Sequence, residues 1–154
     1  MQALERSAWI DLIPHAGAMA LIDEVIEVEP DRILARSDNH RAADHPLRRD
    51  GRLHAIHLCE YGAQAMAVHG ALVARAAGGR ARPGLLVALR AVDLTVGHID
   101  LLPGPLLIDA RREHADAGAW LYRFEVSHGG ATLARGQAMV MLERDADEDR
   151  DGHP

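Results

Sequence analysis

Hydrophobic and polar positions along this chain change period twice, and the changes mark out its elements. Residues 12–17 read as a short turn or helix leading into a strand at 19–28, and Pro30-Asp31 is a turn signal before a second strand at 33–37. Residues 38–52 are polar, hold Pro46 and Gly51, and predict a loop. Residues 55–77 then form the longest helical stretch, rich in alanine and apolar on nearly every side until Arg75, which predicts a buried helix. Gly78-Gly79 stops it. Beyond that point the period drops to two. Strands are predicted at 85–96, 106–113, 120–127 and 131–142, with breaks at Pro103-Gly104-Pro105, Asp116-Ala117-Gly118 and Gly129-Gly130. The alternation is cleanest where Trp120, Tyr122, Phe124 and Val126 interleave with Leu121, Arg123, Glu125 and Ser127.

The order is therefore two strands, one long helix and four strands. Segregated elements of this kind imply an α+β domain in which an antiparallel sheet of about six strands wraps a central helix. No internal repeat or linker divides the chain, so residues 1–143 read as one domain. A sheet that covers one helix leaves strand edges open, and pairing of edges in a homodimer would close them.

Composition narrows the picture. Hydrophobic residues make up 48% of 154 residues, enough for one cored domain, while aromatics make up only 3%, so aliphatic side chains and alanine are expected to fill the core. The net charge of −6 is uneven: from Glu143 onward there are six acidic residues and two arginines, so residues 144–154 read as an acidic, disordered tail. All basic side chains are arginine, and no basic face or aromatic stacking set points to nucleic acid. The first residues lack a signal-peptide pattern, and no apolar run approaches a membrane span, so the chain reads as cytoplasmic. The single cysteine, Cys59, excludes an internal disulfide and a multi-cysteine zinc site, and no metal, nucleotide or flavin motif is visible.

Two motifs carry chemistry. Ile13-Pro14-His15-Ala16-Gly17-Ala18-Met19-Ala20-Leu21-Ile22-Asp23-Glu24-Val25 resembles the opening of the 3-hydroxyacyl-ACP dehydratases, and Glu60-Tyr61-Gly62-Ala63-Gln64 resembles the E-x-x-A-Q segment of that family's central helix. With the element order they span most of residues 11–142 and look closest to the divergent dehydratase-like branch of aryl polyene and xanthomonadin-type pigment clusters. The resemblance implies a hotdog fold, a dimer, an active site where two subunits meet, and a substrate carried on the phosphopantetheine of acyl carrier protein, with no other cofactor.

Dehydration needs a base for the proton alpha to the thioester carbonyl, an acid for the departing 3-hydroxyl, and donors for the enolate-like oxygen. Backbone N–H groups at the helix start are candidates for the last task. Glu60 is the leading catalytic candidate, because a carboxylate in an apolar helix is costly to bury unless paired or protonated; a structurally bonded glutamate is the plain alternative. Gln64, four residues on, shares its face and is expected to orient Glu60 or substrate. The family usually carries a catalytic histidine in an H-x-P stretch before the helix, with Pro-Gly at the helix start. Here His45-Pro46 lies fifteen residues before Glu60 and the Pro-Gly is absent. In the divergent branch a histidine can sit within a G-H-L-P stretch, where this chain has Gly51-Arg52-Leu53-His54. His45 ranks first, then His54, then His57, each with a surface or structural role as the alternative. His15 is expected to fix the N-terminal turn. His69 lies about half a turn round the helix from Glu60 and reads as a core histidine; Cys59 and Tyr61 read as packing residues. Arg48, Arg49 and Arg52 could meet the phosphopantetheine phosphate or acidic carrier protein, with a solvated loop as the alternative, and Arg80 and Arg82 form a second such group.

The leading expectation is a 3-hydroxyacyl-ACP dehydratase producing a trans-2-enoyl thioester. Two others stand beside it: a non-catalytic hotdog subunit paired with an active dehydratase, favoured by the departure at Arg52, and an acyl-thioester hydrolase, since one fold hosts both chemistries.

Overall fold

The computed structural model describes residues 3–14, 17–80 and 84–143; the acidic tail, His15 and Arg82 lie outside the described residues. Its sheet has seven antiparallel strands in the order β1-β2-β3-β5-β6-β7-β4: β1 (Leu4–Glu5), β2 (Glu24–Glu29), β3 (Arg32–Ser37), β4 (Gly84–Leu94), β5 (Leu106–Ala115), β6 (Ala119–His128) and β7 (Ala131–Leu142). Helix α1 (Leu58–Ala76) follows a 3-10 turn at Ala55–His57 and lies on β3, β5 and β6. The strand beyond the six expected is β1, whose two residues are too short to show a period. None of the described helices is long and apolar enough to cross a membrane.

The sheet wraps the helix because two close approaches are spaced alike on both. A Cβ on Gly62 would stand 2.8 Å from the Phe124 ring, and one on Gly70 would stand 2.8 Å from Trp120. Eight helical residues rise about 12 Å, and four strand residues rise about 13 Å. The two glycines therefore seat α1 along β6 on two aromatic rings. The scarce aromatics carry more of the core than composition suggests: Trp9, Tyr61, Tyr122 and Phe124 are the largest fully buried side chains.

The strand expected at 19–28 begins only at Glu24. The Leu21 N–H donates to Gln64 Oε1 (2.7 Å), and the Leu21 carbonyl accepts from Ser37 Oγ (2.6 Å) and Asn39 Nδ2 (2.8 Å), so side chains take the place of a ladder there. The hairpin turns are where glycine predicts them: Gly129 and Gly130 both have positive φ, 55° and 81°.

The two sheet edges differ. Strand β4 pairs only with β7 and is exposed along almost its whole length, and Leu85, Leu86, Val87 and Leu89 stand well out of the core.

Candidate active site on the central helix

Glu60 and Gln64 sit one turn apart on α1, as the sequence expects, and they touch: Gln64 Nε2 donates to Glu60 Oε1 at 3.1 Å. Gln64 is fully buried and saturated, since its amide also donates to the Met19 carbonyl (2.7 Å) while its oxygen accepts from Leu21 N–H. It holds the 19–21 segment against the helix and braces Glu60 in the same act. Glu60 itself is half-buried rather than sunk in the core. It borders a cavity of about 440 Å³ whose other lining is almost wholly apolar, including Ala63, Met66, Ala67, Leu86 and Val140.

His45 faces elsewhere. It borders a separate cavity of about 230 Å³ that shares no lining residue with the first. Its ring is buried and both nitrogens are used: Nδ1 accepts from Leu47 N–H (3.1 Å), which leaves Nε2–H to donate to the Tyr61 hydroxyl (3.0 Å). Tyr61 in turn donates to Asn39 Oδ1 (2.5 Å). Burial, then Arg48 and neighbouring histidines, keep His45 below the usual histidine range, so the ring is neutral near pH 7. Burial pushes the Tyr61 hydroxyl well above the ordinary tyrosine range. Within one chain the structure therefore does not bring His45 to Glu60.

The helix start is occupied. Exposed His54 caps it, its Nδ1 accepting from Ile56 N–H (2.9 Å), and its ring meets His98 edge-on at 5.4 Å. Ala55 N–H donates to the Gly97 carbonyl (2.8 Å), His57 N–H to that of His54 (3.1 Å), and Leu58 N–H to that of Ala55. The N–H groups of residues 55–58, at the place the sequence left for an enolate oxygen, are taken up by the 3-10 turn, its cap and the Gly97 carbonyl. His57, half-buried and three residues before Glu60, is held below the usual histidine range by burial, then by His54 and Arg49, with Glu60 opposing.

The arginines divide by use. Arg48 spends its guanidinium on the carbonyls of Ala42 (2.7 Å), Gly51 (2.7 Å) and Arg41 (3.1 Å) and so shapes the loop. Arg52 Nε donates to Asp100 Oδ2 (2.9 Å). Burial alone would raise the Asp100 carboxyl, but the Leu53 and Asp100 backbone N–H groups and Arg52 override it and hold it below the ordinary carboxylate range. Arg49 is exposed beside this turn, and Arg80 is exposed after the helix. His69 is fully buried between the Tyr122 hydroxyl (2.7 Å) and the Glu29 carbonyl (2.9 Å), in keeping with a core histidine. Cys59 is buried, and burial raises its thiol. Sequence reasoning missed Asn39 and Asp100: Asn39 stands in a run of polar residues and Asp100 between Ile99 and Leu101, and only the tertiary contact singles each out.

A family model described as ApeP-like, ApeP dehydratase, matches residues 8–149. Among solved structures the chain is similar to the dehydratase heterocomplex ApeI:P from Xenorhabdus doucetiae, at 21% identity and a TM-score of 0.78, covering 94% of this chain and 97% of that one. It is also similar to AziG from S. sahachiroi (22% identity, TM-score 0.62, covering 87% and 99%) and to a putative esterase from Mycobacterium tuberculosis (17%, 0.59, covering 82% and 94%). No curated protein matches it. These likenesses establish the hotdog fold.

Proposed function

Because the chain belongs to the ApeP-like dehydratase family, we propose that it removes water from a 3-hydroxyacyl thioester carried by acyl carrier protein, in assembly with a second hotdog subunit. The observation that carries this reading is Glu60, braced by buried Gln64 and set at an apolar cavity able to take an acyl chain. In this reading one proton leaves the carbon alpha to the thioester, the 3-hydroxyl departs with a proton as water, and a trans-2-enoyl thioester remains. Glu60 serves the acid–base role. Among the described histidines we assign the assisting role to His57, which is held below the usual histidine range and interacts with Glu60 three residues on. Arg49 and Arg52, exposed beside the helix start, are the side we assign to the carrier's phosphopantetheine phosphate.

The test is turnover of 3-hydroxyacyl-carrier protein by the purified chain, with enoyl formation followed directly. Glu60→Ala should lower it by about 10²–10⁴-fold; turnover that survives the substitution removes Glu60 from the role.

One observation favours a second reading. His45, the histidine nearest the family's usual H-x-P pattern, has both ring nitrogens spent within its own subunit. A chain that binds the acyl group while a partner supplies the missing acid–base group would look like this. No turnover alone, with turnover restored by a stably co-purified hotdog partner, would favour it. In both readings the exposed apolar β4 is the edge we assign to the second subunit. A charge there, as in Leu85→Arg, should shift the protein to monomer in sedimentation; a dimer that persists would place the contact elsewhere.

A further inference from the structure

We infer that Trp120, seated on Gly70, limits how far an acyl chain can enter and so sets the chain length this protein accepts; the inference rests on the acyl-thioester reading above. The cavity follows α1 from Glu60 in its first turn to Gly70 and Ala71 in its second half, about 15 Å of helix from Glu60 to Gly70. That is room for a straight chain rather than a short acyl group. Among the described lining residues only Glu60, Trp120 and Tyr122 carry a nitrogen or oxygen on the side chain, and the Tyr122 hydroxyl is committed to His69.

Trp120 crosses the far part of this path. It pairs with Val140 on β7, and Val140 pairs with Leu86 on β4, so the three side chains share one face and form a bar across the cavity floor. The indole is fixed on several sides. It lies so close to Gly70 that any Cβ there would meet the ring at 2.8 Å. The Arg112 guanidinium stands over the ring at 4.9 Å, and the Tyr122 ring meets it edge-on at 6.3 Å. Turning the ring out of the way would break the stacking with Arg112 and the contact with the helix together. A rigid bar of this kind stops a chain at a set depth; a loose side chain would only slow it.

The experiment is calorimetric titration of the full chain with saturated acyl-pantetheine thioesters of graded length. Each methylene that enters an apolar site should tighten binding about fourfold. Wild type should follow that rise and then flatten where the chain meets Trp120. In Trp120→Ala the rise should continue to longer chains, and in Trp120→Phe, which keeps a ring and guards against a failure to fold, it should break at an intermediate length. A break that stays put in either folded variant overturns the inference while leaving the acyl-thioester reading intact. Glu60→Ala should keep the wild-type break while losing turnover, which separates depth from chemistry. If wild type shows no length dependence at all, both the inference and the reading beneath it fall.

Discussion

Helix α1 has two flanks, and they are built from opposite materials. The flank toward the 19–21 segment and the loop is closed by polar side chains: Gln64 bonds the backbone of Met19 and Leu21, and Tyr61 joins His45 to Asn39. The flank toward β7 and β4 carries Ala63, Ala67 and Gly70 and borders the 440 Å³ cavity. The difference teaches how one helix serves as both core and binding wall. Buried hydrogen bonds fix distances and leave no spare donor for a ligand, whereas small apolar side chains leave space. Glu60 stands where the two meet, touching Gln64 on one side and the cavity on the other.

The comparison breaks most directly at Gln64. Gln64→Ala leaves the Leu21 N–H buried without a partner, at about 1–3 kcal/mol, frees the partly buried Met19 carbonyl, and opens a void in the core besides. A loss of about 3–5 kcal/mol in denaturant unfolding is expected; a loss below 1 kcal/mol would mean that the segment closes by other bonds. Tyr61→Phe should cost less, about 1–3 kcal/mol, because it strands only the His45 Nε2–H and Asn39 Oδ1 and keeps the ring's packing. On the open flank the effects should reverse. Ala67→Val ought to change unfolding by only about 0.5 kcal/mol, the helix cost of a branched side chain, while weakening acyl-thioester binding by filling the cavity. If Ala67→Val unfolds the protein and leaves binding alone, the two flanks are not the distinct surfaces described.

Much of this was legible in the sequence, and the exceptions share a cause. Periodicity gave the helix, the late strands and their glycine turns, because those signals are local. The delayed start of β2 was not legible, since it depends on Gln64 reaching back across more than forty positions to Leu21. Glu60 and Gln64 stand out together through the resemblance to the dehydratase helix motif, and helical spacing puts them on one face. The roles of His45, Arg48 and the helix-start N–H groups were not legible, because residue type shows what a group can bond and not what the fold has already given it. Arg48 reads as a residue for phosphate or acidic carrier protein, with a loop role as the alternative, and it is spent on three carbonyls of its own loop.

Acid response sharpens the same contrast at the smallest scale. On the closed flank burial holds His45 below the ordinary histidine range, and burial does the same to His40 and His69 elsewhere in the core. The unfolded chain takes up these protons near pH 6.5 and the folded chain only below that. Their contribution to stability is therefore complete above about pH 6.5 and is lost as pH falls toward the lowered folded values. Asp100, also lowered, acts in a separate window, being lost only as pH falls below the ordinary carboxylate value. Each histidine can add at most about 1.4 kcal/mol per pH unit to the slope of unfolding free energy. His45→Gln should remove part of that slope between pH 6.5 and 5.5, whatever it does to stability at pH 7. His57→Gln should remove less, because that ring is only half-buried. Equal slopes for the two variants in urea titrations at these pH values would show that burial on the closed flank does not govern the acid response.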